Sequence, residues 1–473
     1  MGNVLVIMAD ELAREGVGCY GHSHVFTPHM DRLAARGMRY TNAYTPSPVC
    51  VPARASFATG MHVAQTRCWS SAEAYHGQFP SWAHALAEAG HEVSSIGKLH
   101  FRSADDDNGF ANEIRALHIR AGVGFTHGLL RRERDLFDAA HFAEEIGPGD
   151  DPYTRYDIGV ADDAVKWLRR PSGSRPWALF VSFLRPHYPL TCPPEFFGLY
   201  HPARLPVRKT DRLGAASRHP VLAAFRAYYN YDEAFPDEHA RQVARASYFG
   251  LCSFVDHQIG RVLTALEQSG HARDTTVLMT SDHGELNGAH DLWTKMTMHE
   301  ESVAVPLILS GPGIAAGQCD APASLIDAYP TILRAAGIED TRAVERPGIA
   351  LQNLAEDPLA HAERAIVSEY HDAGSITGFF MIRKGRFKYV CYPGFAPQLF
   401  DLTADPEEHH DLGLDPAYAQ ARADCHAALC GELGDPAELN ELAFSDQAAV
   451  IERLGGVGAI LAESQFDFTR VEA

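Results

Sequence analysis

Cys50, Pro52 and Arg54 stand within five residues of one another in the stretch Cys50-Val51-Pro52-Ala53-Arg54, which runs on to Thr59-Gly60. Pro52 has a fixed φ and no N–H, which suits the turn entering a helix. An Arg one helical turn beyond a Cys faces the same cavity as the thiol. A buried Cys alone is as often structural as reactive, so the other chemistry-bearing residues decide. Asp10 and Glu11 follow the apolar run 4–9. Asp282 and His283 follow the run 275–280, and Lys98 and His100 follow the run 92–96. His187 comes just after 177–184. A lone Asp after a strand is more often a helix N-cap than a ligand, but Asp10, Asp282 and His283 at one sheet rim, together with Cys50, form a set of hard oxygen donors with one imidazole. That set suits Ca²⁺, Mg²⁺ or Mn²⁺. The cationic residues Arg54, Lys98, His100, His187 and Lys295 would complete a local anion site fit for a sulfate or phosphate ester.

Such a constellation requires elements that deliver their C-terminal ends to one place. The short apolar runs ending in polar residues read as buried parallel strands, whose carboxyl edge is where open α/β sheets bind ligands. Helical patterns lie between them: 31–37, 81–89, 157–168 and the longest, 240–269, several of them closed by Gly. This alternation over the first 340 residues predicts an α/β fold, a large mixed, mostly parallel sheet covered by helices on both faces. Past residue 365 the texture changes to short antiparallel strands at 379–382, 387–391 and 398–402 and a helix at 417–432. The expected division is a catalytic domain over 1–364, a smaller α+β domain with an antiparallel sheet over 365–440, and a tail over 441–473 serving an oligomer contact. Residues 101–156 are charge-rich and show no clear strand, so they read as an insertion over the site. With 200–240 they are the expected pocket walls, where Tyr228, Tyr229 and Tyr231 are equally candidates for core. Gly455-Gly456-Val457-Gly458 looks like a phosphate loop but lies far from any βαβ unit.

The chain of 473 residues carries 41 Lys and Arg against 61 Asp and Glu, a formal charge of −20. That charge repels nucleic acid over most of the surface and makes a local cationic pocket necessary for any anionic substrate. Nine scattered Cys without a CxxC pair suggest neither a disulfide framework nor a zinc ribbon and fit a reducing compartment. No apolar run approaches a membrane span, and Met1-Gly2-Asn3 runs straight into apolar sequence with no room for a secretory signal. The expectation is a soluble, cytoplasmic protein with no nucleic-acid or membrane partner.

Taken together, the motifs resemble those of formylglycine-dependent sulfatases in the alkaline phosphatase superfamily. Cys50-x-Pro52-x-Arg54 with Thr59-Gly60 is similar to that family's modification signature. Asp10, Gly97-Lys98-Leu99-His100, Pro186-His187-Tyr188-Pro189 and Ser281-Asp282-His283-Gly284-Glu285 follow in the family's order. The segment from His290 to Lys295 with Glu300-Glu301-Ser302-Val303 resembles its lysine-bearing stretch. Gln398-Leu399-Phe400-Asp401-Leu402 with Asp405-Pro406-Glu407-Glu408 resembles its C-terminal signature.

The resemblance implies that Cys50 is oxidised to formylglycine by a formylglycine-generating enzyme and that its hydrate binds one divalent metal ion, foremost Ca²⁺. Asp10, Asp282 and His283 would hold the ion, with Glu11 beside it. Arg54 and Lys98 would hold the diol, Lys295 the sulfuryl oxygens, and His187 with Lys295 the leaving group, while His100 takes the proton that lets sulfate depart. The substrate would be a small-molecule sulfate ester, aryl, choline or sugar, and the assembly a homo-oligomer, dimer or tetramer. Two features depart from the commonest family pattern. Ala53 gives a CxPAR form shared with phosphonate monoester hydrolases, and His283 resembles those enzymes and choline sulfatases. Phosphonate monoester or phosphodiester hydrolysis is therefore the alternative, although those hydrolases lack the Lys-x-His element present here. An unconverted, non-catalytic metal-binding homologue is the third reading.

Overall fold

The computed structural model describes residues 2–132, 137, 139–170, 173, 175–206, 219–340 and 345–463. Glu133 and Arg134 of the charged run, residues 207–218 of the second expected wall and the last ten residues of the tail lie outside them.

Eight strands form the main sheet: β1 (Asn3–Asp10), β2 (Met38–Tyr40), β3 (Glu92–Lys98), β4 (Asn112–Leu117), β5 (Trp177–Pro186), β6 (Thr275–Ser281), β7 (Leu307–Ser310) and β8 (Gly317–Cys319). Their spatial order is β8-β2-β7-β6-β1-β5-β3-β4. Every pairing is parallel except those of β7, which runs antiparallel to both β6 and β2. The three central strands β1, β5 and β6 are buried almost throughout. Their near-continuous apolar sequence follows from being covered on both faces.

Successive side chains of β1 divide between the two faces. Leu5, Ile7 and Ala9 pack with α1 (Pro28–Ala35), α4 (Pro152–Leu168) and α5 (Glu238–Gln268). Val4, Val6 and Met8 pack with α2 (Cys50–Thr59), α3 (Trp82–Glu88) and α6 (Ala328–Ala336). Each fully buried Leu, Ile, Val or Phe on these faces contributes about 1.5–3 kcal/mol of transfer free energy. The 31 residues of α5 are started by Asp237, whose side chain accepts from the Ala240 N–H at 2.8 Å. Asp151 starts α4 in the same way, through the Tyr153 N–H at 2.7 Å, and draws that helix back five residues before the expected 157. A side-chain acceptor at the N-cap satisfies an otherwise orphaned N–H.

A second sheet of four antiparallel strands, β9 (Ile366–Tyr370), β10 (Phe379–Lys384), β11 (Phe387–Cys391) and β12 (Gln398–Asp401), follows in simple sequential order. It packs against α7 (Ala419–Leu433). Two more helices, α8 (Pro436–Arg453) and α9 (Val457–Leu461), occupy the stretch whose structure the sequence left unassigned. Gly455 and Gly456 are the turn between them.

One expectation is corrected and one open choice is decided. The segment 101–156 does contain a strand: β4 is the sheet's edge, half-exposed, and its polar Asn, Glu and Arg hide the usual alternation. Tyr228, Tyr229 and Tyr231 are buried in the main core. No helix among the described residues is long and apolar enough to cross a membrane.

Candidate active site

The carboxyl ends of β1, β3, β5 and β6 and the N-terminus of α2 meet at one point. Asp10 closes β1. Lys98 closes β3, placed by Gly97 at φ 99°, where an added Cβ would lie 2.0 Å from the Ser182 carbonyl oxygen of β5. Only glycine lets the two strands approach there. Asp282 and His283 follow β6 directly, and Gly284 is as tightly placed, 1.9 Å from the Glu301 carbonyl oxygen by the same measure. Cys50 is the first residue of α2, after the extended Val49 and two residues before Pro52. It therefore sits at the positive end of the helix dipole. Gly60, left-handed at φ 70°, ends that helix with its N–H on the Ser56 carbonyl at 2.8 Å.

Cys50 Sγ lies 3.1 Å from His283 Nε2 and 3.4 Å from Asp10 Oδ1. Its exposure is 4%. The His283 ring is fixed through Nδ1, which donates to the Gly284 carbonyl at 3.0 Å, so Nε2 faces Asp10 Oδ1 at 3.6 Å and Asp282 Oδ1 at 3.7 Å. Asp10, Cys50, Asp282 and His283 each bring one ligand atom to within 4.8 Å of the others. Two carboxylate oxygens, one imidazole nitrogen and the oxygen or sulfur of residue 50 fit a divalent cation.

Three buried cations balance the carboxylates. Arg54 donates through Nε to Asp282 Oδ2 at 2.7 Å, and through Nη1 to the Lys98 carbonyl at 2.7 Å and Ser182 Oγ at 2.9 Å. Its Nη2 is buried and meets no acceptor among the described residues. Lys98 Nζ is ion-paired to Asp10 Oδ2. Lys295 Nζ donates to Glu11 Oε2 at 2.7 Å, and His187 Nε2 lies 3.3 Å from the same oxygen. The His187 Nδ1 donates to the Tyr188 carbonyl at 2.7 Å, and its ring stacks on Tyr188 with centroids 4.6 Å apart. Glu11 Oε1 is buried and accepts no hydrogen bond among the described residues. Glu11 thus groups with Asp10 and His187 rather than with the Cys50 cluster.

These contacts set the charges. Burial works to raise the Asp10 carboxyl, yet Lys98, His187, Arg54 and Lys295 together hold it well below the usual carboxylate range. Glu11 is pushed well above its ordinary value by burial, against the pull of Lys295. Burial and the Asp10 charge drive the Cys50 thiol up to about 12, so unmodified Cys50 is a neutral thiol at physiological pH and a weak nucleophile. Burial, then Lys98 and Arg54, keep His100 well below its ordinary value. Burial and Lys295 do the same for His187. Both imidazoles are neutral. Lys295 stays firmly charged: burial opposes this, but the acidic groups of Glu11 and Asp10 around it outweigh the penalty.

All ten residues expected at the site thus fall in one buried cluster around the sheet's carboxyl edge. Glu11, His100, Thr294 and Met296 there adopt left-handed φ of 65°, 56°, 64° and 79°, a strain that side-chain residues bear mainly where function requires it. Sequence reasoning missed three participants. Ser182 is a polar residue inside an apolar strand. Tyr188 is the platform for His187. Glu285 is a buried acid whose Oε1 accepts from the Asn287 and Thr294 N–H groups at 2.7 Å and so shapes the Lys295 turn. A hydroxyl interrupting an otherwise apolar strand was the available signal for the first.

A sheet of this topology, ringed by helices and carrying this cluster at its edge, defines an alkaline phosphatase-like hydrolase fold. The chain belongs to the sulfatase family: the family's model matches residues 2–338, and a model for the C-terminal part of N-sulphoglucosamine sulphohydrolase matches 288–433. It is a sulfatase, a sulfuric ester hydrolase. A choline-sulfatase from Rhizobium meliloti is 33% identical over 434 residues, covering 88% of this chain and 83% of that protein. Bos taurus arylsulfatase K is 30% identical, covering 86% and 77%. Among solved structures, a phosphonate monoester hydrolase of Agrobacterium radiobacter superposes with a TM-score of 0.75 at 24% identity, covering 92% of this chain and 96% of that one. A 2-O GAG sulfatase follows with 0.74 at 24%, covering 91% of each.

Proposed function

We propose that this sulfatase hydrolyses an organic sulfate monoester to alcohol and sulfate, using formylglycine generated from Cys50 and one divalent cation, Ca²⁺, held by Asp10, Asp282 and His283 with Glu11 alongside. The single observation that carries this reading is the buried ring of Cys50, Asp10, Asp282 and His283 beside an Arg54 nitrogen with no acceptor among the described residues. When present, the ion supplies Lewis acidity, and the hydrated aldehyde supplies two hydroxyls on one carbon.

The side chains of the chain account for the remaining work. Arg54 orients Asp282 through Nε, and its Nη2 offers a donor to an anionic oxygen. Lys98 holds Asp10 in place. Lys295, charged and fixed on Glu11, neutralises sulfuryl oxygens and donates toward the leaving oxygen. His187 orients that oxygen from its Tyr188 platform. His100, kept neutral, is the base for the step that releases sulfate.

Phosphonate monoester or phosphodiester hydrolysis is the competing reading, supported by Ala53; the Lys98 and His100 pair favours sulfate. Turnover of an aryl sulfate against an aryl phosphonate monoester separates them, and a clear phosphorus preference overturns the proposal. The mass of the peptide containing Cys50 tests conversion. A retained thiol in fully active enzyme refutes the nucleophile assignment, and a retained thiol in inactive protein marks a non-catalytic homologue.

The same reading takes 1–364 as the catalytic unit, 365–440 as a smaller domain and 441–473 as a tail. It places the protein in the cytoplasm, where its nine free cysteines remain reduced. It also takes the chain as a homo-oligomer, in keeping with the exposed Leu442 and Leu461 on α8 and α9.

A further inference from the structure

The segment that carries Lys295 holds a second cluster of ligating side chains at its far end. His290, His299 and Glu408 are all buried, and each brings one ligand atom to within 4.8 Å of the others. The two imidazoles stack 13° from parallel, with centroids 3.9 Å apart. Two rings so close cannot both carry a proton's charge at low cost, and the neutral ring is the form that binds metals. Each ring faces a carboxylate: His290 Nε2 lies 3.5 Å from Glu301 Oε2, and His299 Nδ1 lies 3.7 Å from Glu408 Oε2. A charge-assisted hydrogen bond would close to about 2.7–2.9 Å. Donors sharing one tetrahedral ion, each bonded at about 2.0–2.1 Å, stand about 3.3–3.4 Å apart. The observed spacings are nearer the second figure.

The surroundings favour a cation. Glu408 is oriented by the Glu300 N–H at 2.7 Å and by Lys388, which also bonds Glu300 at 3.1 Å, and Arg14 pairs with Glu300 at 3.1 Å. Glu300 and Glu408 thus face Lys388 and Arg14, Glu301 adds a third carboxylate beside His290, and Arg226 is spent on the His290 carbonyl at 2.7 Å. Outer partners of this kind fix ligand orientation at metal sites. His290 and Glu408 are both held left-handed, each at φ 55°. His409 lies close by: its ring is 6.4 Å from that of His290, and its Nε2 is buried without a hydrogen-bond partner among the described residues. A cleft of about 450 Å³, lined in part by Glu15, Glu285, Ala289, Glu301 and Glu407, runs past the cluster. Its acidic walls would concentrate cations at the entrance.

We propose that His290, His299 and Glu408, completed by Glu301, form a structural site for a borderline divalent cation of the zinc type, separate from the catalytic centre. Two nitrogen and two carboxylate donors suit Zn²⁺ or Co²⁺ better than Ca²⁺. The ion would fasten the Lys295 segment to the loop after β12. This inference does not depend on the substrate or nucleophile assigned above.

The test uses full-length protein stripped of metal, saturated with Ca²⁺ and then titrated with Zn²⁺, with bound metal counted by mass spectrometry of the desalted protein. Co²⁺ serves as the optical probe. One equivalent of Zn²⁺ per chain, tetrahedral Co²⁺ absorption and a raised Tm are expected. His299→Phe keeps the stacked ring but has no donor, and Glu301→Gln keeps the volume. Each is expected to weaken Zn²⁺ by about 100-fold or more. Asp282→Asn, altered in the catalytic cluster, is expected to retain the equivalent. The proposal is overturned if the wild type retains no Zn²⁺ beside Ca²⁺, if folded His299→Phe and Glu301→Gln bind it as the wild type does, or if Asp282→Asn alone loses it. Should either substitution prevent folding, the wild-type stoichiometry and the Co²⁺ spectrum still decide.

Discussion

Replacing Arg54 by Lys keeps the charge and removes the geometry. From α2 the guanidinium reaches three separate strands: Asp282 just after β6, the Lys98 carbonyl at the end of β3 and Ser182 within β5. An ammonium on an unbranched stem can hold Asp282 but cannot also span the other two. Two hydrogen bonds from a charged donor, each worth about 1.5–3 kcal/mol, are lost at a fully buried position. Part is regained if water enters, which leaves a destabilisation of about 3 kcal/mol. The lysine also lacks a counterpart of Nη2, the nitrogen of Arg54 that meets no acceptor among the described residues. Removing a donor aimed at developing charge lowers kcat by about 10²–10³. Urea unfolding followed by tryptophan fluorescence measures the first effect, and initial rates with an aryl sulfate measure the second. The reasoning fails if Arg54→Lys unfolds within about 0.5 kcal/mol of the wild type, the range of a neutral surface substitution. It fails equally if kcat drops less than about threefold, under 1 kcal/mol of barrier.

Gly97→Ala would press a Cβ onto the Ser182 carbonyl in a left-handed backbone. A loss of about 3 kcal/mol or more is expected, read as a lower Tm with impaired turnover because Lys98 moves with it; a wild-type Tm would show that β3 and β5 yield easily. Glu369, in the first strand of the second sheet, accepts the Ala64 N–H at 3.1 Å, and burial raises its carboxyl from 4.5 to about 8. The unfolded chain loses this proton near 4.5 and the folded protein near 8, so stability falls as pH rises across that window and levels off above it. Glu369→Gln should flatten this slope and stabilise the protein by a few kcal/mol at pH 8, since each tenfold difference in proton affinity between the folded and unfolded chains is worth about 1.4 kcal/mol; an unchanged pH profile of Tm would refute the assignment. Exhaustive chelation should abolish turnover, with Ca²⁺ restoring it better than Zn²⁺, and activity that survives chelation would remove the metal from the reaction.

The central strands could be read from the sequence because they are buried on both faces. An apolar run such as 4–9, cut off by Asp10, leaves little choice of element. The same logic failed at β4, whose one open edge admits Asn112, Glu113 and Arg115, and at β2 and β8, which are only three residues long. The first strand of the small sheet, β9, was missed because Ser368 and Glu369 interrupt its apolar pattern although both are buried. The C-terminal helices α8 and α9 bury only a narrow set of residues, among them Ala443, Val450 and Ile460, and so show little periodicity. At the site, residues fixed by where the chain must end a strand were legible. Partners contributed from the middle of an element, Ser182 above all, were not. Nor was the pairing of His290 and His299 with Glu408, which joins segments more than one hundred residues apart.

The burial of Cys50 also bears on the order of events during biosynthesis. In the folded chain every residue of α2 is buried, and the thiol lies beneath the ends of three strands. A second enzyme could not grip that helix as it stands. For the conversion proposed above, the segment around Cys50 must be offered as loose peptide, before β6 arrives from more than two hundred residues downstream to bring Asp282 and His283 over it. Oxidation and folding are then competitors for the same nascent chain, and a molecule that folds first is sealed with its thiol inside. The active fraction of a preparation would be decided during synthesis, by relative rates, rather than by anything done to the finished protein.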